Sequence, residues 1–455
     1  MEYILYDVDK IKDYVFDSFR PKEVKGASEF IKALDYDPKT KKKETLLQQL
    51  MDEYPDITDD SIIYSKGGSG LITSSQNQGQ DICDWLDKHF QEHTHGGSLT
   101  AVFHKEEPSF ATTMDILNFK GREQKSEKRI TQDLKITVFD KEEKNRCGAC
   151  GKRNSITTVP IGGEPIPYCE TCYSKRKSKS EADSLEDICK DSKLILTIYG
   201  DLNEAGNHLS SIKEKKKLKE FSEGISEILE ETRHKIETRL EEKGFESLAP
   251  VIGGDDMIFF THPASFPLIF EELRLIEDAL FQRLGKPMKM NFAFLLSKHN
   301  FPIYHIFQLS QSLLDKTKDA YYQLPADGDK TSYYGLFKVL EGGHNPSEKD
   351  VYPAHQFHML LEIAKQMQQD KKIHTSALFN ILDLLSDKYS EAEGELNLLY
   401  FLVQHKEFES YIKSTPPNFV LLHRGAEIKL TPTVLEDIIL LQDLVGNENK
   451  PPEVS

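Results

Sequence analysis

The sequence predicts an α+β protein: two ferredoxin-like, or palm, domains joined by a four-cysteine ribbon and followed by a C-terminal helical bundle. Three observations predict it. The order strand, helices, glycine hairpin, helix, strand occurs twice. Two Cys-x-x-Cys pairs stand between the two occurrences. From about residue 350 onward helical spacing takes over and no strand pattern is seen.

The first domain, residues 1–140, opens on an alternating, β-rich strand over 2–8 that ends at Asp7 and Asp9. Helical spacing follows over 11–19, is broken by Pro21, and resumes over 23–34 through Gly26-Ala27-Ser28. Residues 35–44, rich in lysine, read as a solvated loop, and 45–54 as a helix. Residues 61–72 read as a hairpin whose turn, Gly67-Gly68-Ser69-Gly70, carries no carboxylate. A helix over 81–90 and a strand over 98–104 complete the set.

The ribbon occupies 141–190. Cys147-Gly148-Ala149-Cys150 is followed, after eighteen residues, by Cys169-Glu170-Thr171-Cys172. Two thiolate pairs on two knuckles suit a tetrahedral site with no open position, hence structural Zn²⁺ held by Cys147, Cys150, Cys169 and Cys172. Cys83 and Cys189 stand alone and read as ordinary semi-buried residues. Lys175-Arg176-Lys177-Ser178-Lys179 reads as a solvated linker.

The second domain, residues 191–345, begins with a strand over 194–199 that runs into Gly200-Asp201. A helix over 218–243 leads to Pro250-Val251-Ile252-Gly253-Gly254-Asp255-Asp256-Met257-Ile258-Phe259-Phe260. This reads as strand, tight turn, strand, with Gly253 and Gly254 supplying the positive φ of a two-residue hairpin. A helix over 266–284, a strand over 288–296 and a helix over 303–322 follow. In a ferredoxin-like sheet the strand ending at Asp201 lies beside the hairpin, so Asp201 faces Asp255 and Asp256. Three hard oxygen donors at one sheet end suit Mg²⁺ or Mn²⁺ and the phosphates of a nucleotide. The backbone carbonyl of Leu202 could complete the coordination. Lys316 or Lys318 could reach the β- and γ-phosphates as a point charge. His305 reads as a satisfied, half-buried histidine.

Residues 346–455 read as helices over 354–369, 375–388, 391–414 and 432–445, with a frayed polar tail over 447–455. A net charge of −17 over 455 residues argues against a generic nucleic-acid coat or membrane-surface protein. No apolar run approaches the ~20 residues of a membrane span. The N-terminus lacks a basic segment, so the expected location is cytoplasmic.

Four features, in order, carry a resemblance to a known family. They are Asp7-Val8-Asp9-Lys10-Ile11-Lys12-Asp13-Tyr14-Val15-Phe16 with Gly26-Ala27-Ser28, the Cys₄ ribbon, Gly253-Gly254-Asp255-Asp256, and Phe301-Pro302-Ile303-Tyr304 leading to Leu313-Leu314 and Lys318. The chain resembles the large polymerase/cyclase subunit of type III CRISPR effector complexes, including stand-alone minimal relatives. The resemblance implies two nucleotidyl cyclase-like palms packed face to face and a C-terminal helical domain. It implies conversion of ATP to cyclic oligoadenylate second messengers with release of pyrophosphate, in antiviral defence. It makes Asp201, Asp255 and Asp256 the catalytic metal ligands and Lys318 the phosphate contact. The first palm would be non-catalytic, with Gly67 and Gly68 close to the phosphate or base of an acceptor nucleotide. Other effector subunits, guide or target RNA and an oligomer are the implied partners. Asn203 stands where the family often has a second aspartate, and an N-terminal His-Asp nuclease domain is not expected. The competing reading is a catalytically weak scaffold that organises an RNA-guided complex.

Overall fold

The computed structural model describes residues 1–36, 45–134, 146–177, 184–250, 254–325, 330–339, 346, 349–370, 373, 375–385, 391–408, 410–415, 418–423 and 426–446. The first unit runs β1 (Glu2–Asp9), α1 (Ile11–Val15), α2 (Pro21–Lys32), α3 (Leu46–Glu53), β2 (Ile62–Lys66), β3 (Ser69–Ser74), α4 (Gly79–Thr94), β4 (Ser98–Lys105) and α5 (Phe110–Leu134). Its four strands pair in the order β2-β3-β1-β4. Alternation in β1 sends Ile4, Tyr6 and Val8 into the core shared with α2 and α4, and Tyr3 and Leu5 to the side covered by α5. The β2–β3 turn is made by Gly67 and Gly68, both left-handed at φ 60° and 84°, as a two-residue hairpin requires.

The ribbon follows as β5 (Thr157–Ile161), β6 (Glu164–Tyr168) and α6 (Glu170–Arg176). It docks on the first unit through α6, which packs against α2. A Cβ on Gly26 would lie 1.8 Å from the carbonyl oxygen of Lys175, so only glycine lets the two helices approach this closely. Gly26→Ala is expected to push them apart and to cost about 1–3 kcal/mol, read as a lowered thermal midpoint.

Next come α7 (Leu185–Cys189), β7 (Leu194–Leu202), α8 (Ala205–Ser211), α9 (Lys215–Glu242), β8 (Ser247–Leu248), β9 (Asp256–Thr261), α10 (Phe266–Leu273), α11 (Ile276–Leu284), β10 (Met290–Lys298) and α12 (Ile303–Tyr322). The chain continues through β11 (Tyr333–Lys338), β12 (Val351–Pro353), α13 (Ala354–Gln369), α14 (Thr375–Leu384), α15 (Glu391–Gln404), β13 (Ile412–Thr415), β14 (Asn418–His423), β15 (Ala426–Lys429) and α16 (Pro432–Gly446). The large sheet has the order β12-β11-β10-β7-β9-β8. Within it, β10-β7-β9-β8 repeats the connectivity of the first sheet, fourth strand beside first, first beside third, third beside second. Leu196, Ile198 and Leu202 of β7 face the core formed with α9 to α11 and the C-terminal helices. Ile195 and Tyr199 face α12 and the first unit. There Phe16, just past α1, stacks on Phe307 of α12 with ring centroids 4.0 Å apart.

Several expectations are corrected. The C-terminal part is not a bundle of helices alone: β13, β14 and β15 form a three-stranded antiparallel sheet, and the expected helix over 391–414 ends at Gln404. The segment around Asn418-Phe419-Val420-Leu421-Leu422 is too short for its period to separate strand from helix. The expected helix over 266–284 is two, α10 and α11. Gly253, with Val251 and Ile252, lies outside the described residues, and the expected turn through Gly253 and Gly254 lies there with it. Lys175 is not part of a solvated linker: it is fully buried, and Arg176 pairs with buried Glu23 at 3.1 Å. Ser178, Lys179, most of the 35–44 loop and the 447–455 tail lie outside the described residues. Among the described residues, no helix is long and apolar enough to cross a membrane.

Candidate metal and nucleotide site

Strand register brings the acids together. Asp201, near the end of β7, is the Cα partner of Asp256, the first residue of β9. Both belong to the alternating set that includes Tyr199 and Ile258, so both carboxylates lie on the α12 side. They stand within hydrogen-bonding reach of each other. Asp255 sits at the mouth of β9, its carbonyl accepting from the Leu202 amide at 3.2 Å. Its charge is felt by Asp201. Leu202 itself is buried between the sheet and the α9 side.

Two lysines answer these acids. Lys318 of α12 places its Nζ 2.8 Å from Asp201 Oδ1. Lys12 of α1, in the other unit, places its Nζ 3.0 and 3.3 Å from the two oxygens of Asp256 and 5.3 Å from the centre of the Tyr199 ring. Sequence reasoning missed Lys12: it lies in the quoted N-terminal motif, but nothing local ties it to an acid 244 residues away.

Burial dominates the electrostatics. It pushes Asp256 up to about 6, with Lys12 opposing and Asp201 adding to the rise. Burial also raises Asp201, against the pull of Lys318, and raises Asp255, reinforced by the charge of Asp256. Tyr199 is raised by burial and then by Asp256 and Asp201. Burial would lower Lys318, but Asp201 outweighs it and holds the lysine above its ordinary value. An aspartate with a folded value above its unfolded value keeps its proton longer in the folded chain. Its contribution to stability therefore falls as pH rises from about 4 to about 6. In buffer without added divalent ions, Asp256→Asn is expected to stabilise the chain at pH 7, by at most about 3 kcal/mol, and to flatten that part of the pH profile. Thermal midpoints measured across pH 4–8 check it.

Asn203 is buried, and its amide atoms find no hydrogen-bond partner among the described residues. An aspartate there would add another enclosed charge to a cluster already short of cations. His305 is exposed rather than half-buried, its Nδ1 lying 3.3 Å from Gln308 Oε1. The two turn glycines serve their own hairpin. The Gly67 amide donates to Asp35 Oδ1 at 2.8 Å, and Gly68 packs against Ile11 and Ile31.

The first unit keeps the outline of this site. Lys125 of α5 pairs with Asp7 at the end of β1, as Lys318 pairs with Asp201. Lys125 stands fifteen residues after Phe110, the first of α5, and Lys318 fifteen residues after Ile303, the first of α12. Lys10 and Glu204, each three residues past its aspartate, are both left-handed, at φ 49° and 62°. The difference lies opposite: Asp7 faces Ser69 where Asp201 faces Asp256. Lys125 also lies 3.8 Å from Asp9, whose carboxylate is taken up by the Ser98 and Thr100 hydroxyls, and no second acid stands opposite Asp7 on the neighbouring strand.

The second centre is the ribbon. Among the described residues, Cys147, Cys150, Cys169 and Cys172 are the metal-type side chains whose ligand atoms all lie within 4.8 Å of one another, and all four are buried. Four sulfurs so placed could hold Zn²⁺ with no open position. The three aspartates do not form so tight a group: Asp201 and Asp256 meet, and each also takes a lysine. Their hard oxygens and incomplete neutralisation nevertheless suit Mg²⁺ or Mn²⁺.

No protein-family model matches the chain, and no curated protein matches it in sequence. Solved structures do match. A Csm1–Csm4 cassette in complex with cA4 aligns with a TM-score of 0.60 at 13% identity, covering 98% of this chain and 69% of that one. Csm1 from T. onnurineus aligns with a TM-score of 0.59 at 15% identity, covering 97% and 69%. A Csm1–Csm4 cassette in complex with one ATP aligns with a TM-score of 0.57 at 13% identity, covering 98% and 70%. The resemblance read from the four motifs therefore extends to the backbone: along nearly its whole length, this chain is similar in fold to Csm1.

Proposed function

We propose that this chain is a divalent-metal-dependent nucleotidyltransferase that joins ATP into cyclic oligoadenylates and releases pyrophosphate, in CRISPR-linked or other antiviral defence. The observation that carries the reading is the buried pairing of Asp201 with Asp256 at one sheet end, with Asp255 beside them. The likeness to Csm1 structures that hold cA4, pppApA or ATP supports it. On this reading residues 1–140 and 191–345 are two palms, the second catalytic, with the ribbon over 141–190 and an accessory domain over 346–455. The chain would work in the cytoplasm, with other effector subunits and RNA as partners, as Csm1 is found with Csm4.

Asp201, Asp255 and Asp256 would hold the cation, with the Leu202 carbonyl as a further oxygen donor. Bound Mg²⁺ or Mn²⁺ supplies acidification of the attacking hydroxyl and charge neutralisation of the leaving group. Lys318, beside Asp201, meets the β- and γ-phosphates. The 3′-oxygen of one nucleotide bonds to the α-phosphorus of the next. The bond from that phosphorus to the β-bridging oxygen breaks, pyrophosphate leaves with the electron pair, and the hydroxyl proton passes to water. Ring closure is the same exchange between the 3′-hydroxyl and the 5′-triphosphate of one oligonucleotide. Positioning and charge do most of the work, so no nucleophilic side chain is needed.

The test is to incubate the full chain with labelled ATP, then GTP, with Mg²⁺ or Mn²⁺, with and without added RNA, and to identify products by mass. Cyclic or linear oligoadenylate with pyrophosphate is expected. No product under any of these conditions supports the scaffold reading instead.

A further inference from the structure

We infer that Lys12, supplied by the first unit, is a phosphate-binding residue of the second unit's site: it neutralises Asp256 before the cation arrives and then takes the terminal phosphates of the nucleotide. This rests on the proposed nucleotidyltransferase.

The geometry places Lys12 at the mouth of the site, not within it. Its side chain is 33% exposed while that of Asp256 is 6% exposed. The lysine can therefore withdraw toward solvent without leaving a cavity, whereas the carboxylate cannot move out. Lys12 also has a second resting contact, the Tyr199 ring. Charge supplies the reason to move. Asp201, Asp255 and Asp256 outnumber the two lysines at 2.8 and 3.0 Å, and Asp315, whose charge acts on both lysines, adds to the excess of negative charge. A divalent ion entering among the carboxylates repels both ammonium groups. The triphosphate that accompanies it brings more negative charge than that ion offsets, at the open side of the cluster where Lys12 stands.

Lys12 is not part of the duplicated framework. Five residues past Asp7 is Lys12; five residues past Asp201 is Gly206. It is an addition from one unit to the other unit's site. Its helix is fixed from below by the ribbon: Lys175 Nζ donates to the Tyr14 carbonyl at 2.6 Å, and Asp17 is held by Lys152 and Arg153, each at 2.6 Å. The backbone of Lys12 is thus anchored while its side chain remains free to switch partners.

The experiment measures two affinities on the full chain and on Lys12→Ala and Lys12→Arg. Mn²⁺ alone is titrated by electron paramagnetic resonance. ATP, AMP and adenosine are titrated by calorimetry with Mg²⁺ present. Lys12→Ala is expected to bind Mn²⁺ several-fold more tightly, because the competing cation is gone. The same variant is expected to bind ATP about tenfold to a hundredfold more weakly, with AMP and adenosine unchanged, and Lys12→Arg is expected to recover part of the loss. A purely structural role would weaken Mn²⁺ and every nucleotide together, and that result overturns the proposal. So does an unchanged ATP affinity in Lys12→Ala. Failure of the unaltered chain to bind ATP at all overturns the nucleotidyltransferase reading and this one with it, which separates the two failures.

Discussion

Asp201→Ala is expected to reduce product formation from ATP by about a thousandfold or more, with the fold intact. The carboxylate sits one residue before the end of a nine-residue strand whose other side chains are packed on both faces, so β7 does not depend on it for register. Its removal takes away an oxygen donor that the partner acid cannot replace, and transition-state stabilisation by a bound cation is worth several kcal/mol, which is about three decades in rate. It also leaves Lys318 without its closest partner. That lysine keeps partial access to water, with a side chain 28% exposed, so the cost in stability stays small. Asp255→Ala/Asp256→Ala should behave alike, whereas Asp7→Ala, in the matching place of the first unit, should leave the rate within about threefold, because Asp7 faces Ser69 and not a second acid. Initial rates with Mg²⁺ and Mn²⁺, paired with a far-ultraviolet melting curve for each variant, check all three.

Removing a metal held by the four cysteines is expected to have the second large effect. The ribbon's own core is four cysteines, Ala149 and Tyr168 with three partly buried aliphatic side chains, too little to hold two knuckles and a hairpin together unaided. Its binding free energy for zinc is folding free energy, about 10 kcal/mol or more for sites of this type. The consequence reaches beyond the ribbon. Lys175 is buried, held low at about 8 chiefly by that burial, and rests 3.8 Å from the centre of the Tyr14 ring. Tyr168 donates to Glu23 at 2.7 Å, and the Phe19 amide donates to the Ala149 carbonyl at 2.8 Å. These contacts position the segment that carries Lys12. Cys172→Ser, or zinc extraction by a strong chelator, is expected to lower the thermal midpoint by more than about 5 °C and to raise hydrogen exchange through residues 12–24. A purified chain that carries no zinc yet melts unchanged would contradict the assignment.

The acid cluster was legible in part because carboxylates abutting buried apolar strands are a rare local pattern. Two adjacent aspartates before Met257-Ile258-Phe259-Phe260, and one more after Leu194-Ile195-Leu196-Thr197-Ile198-Tyr199, are carboxylates at the ends of buried strands, and register did the rest. The cysteine pairs were legible for the same reason: few sequences place four thiols at that spacing without a metal. What stayed hidden depends on relations across the chain. Lys12 is one lysine among many until α1 is laid against β9. Lys175 looks like the start of a charge run, and only its docking against α2 shows it to be interior. The long helix α5 is hard to read from sequence because its stretch from Phe110 is dense in polar residues and its apolar stripe is thin. The β13–β15 sheet is built from segments of four to six residues, and its central one, Asn418-Phe419-Val420-Leu421-Leu422-His423, is a short apolar run without polar alternation, which does not separate strand from helix.

The most direct test of the central claim is anomalous diffraction from crystals grown with Mn²⁺ and a non-hydrolysable ATP analogue. The expected result is a manganese peak between Asp201 and Asp256, within coordination distance of both and of the analogue's phosphates, with Lys12 and Lys318 turned from the acids to those phosphates. A difference map in which both lysines still hold their aspartates and manganese lies elsewhere or nowhere would contradict it.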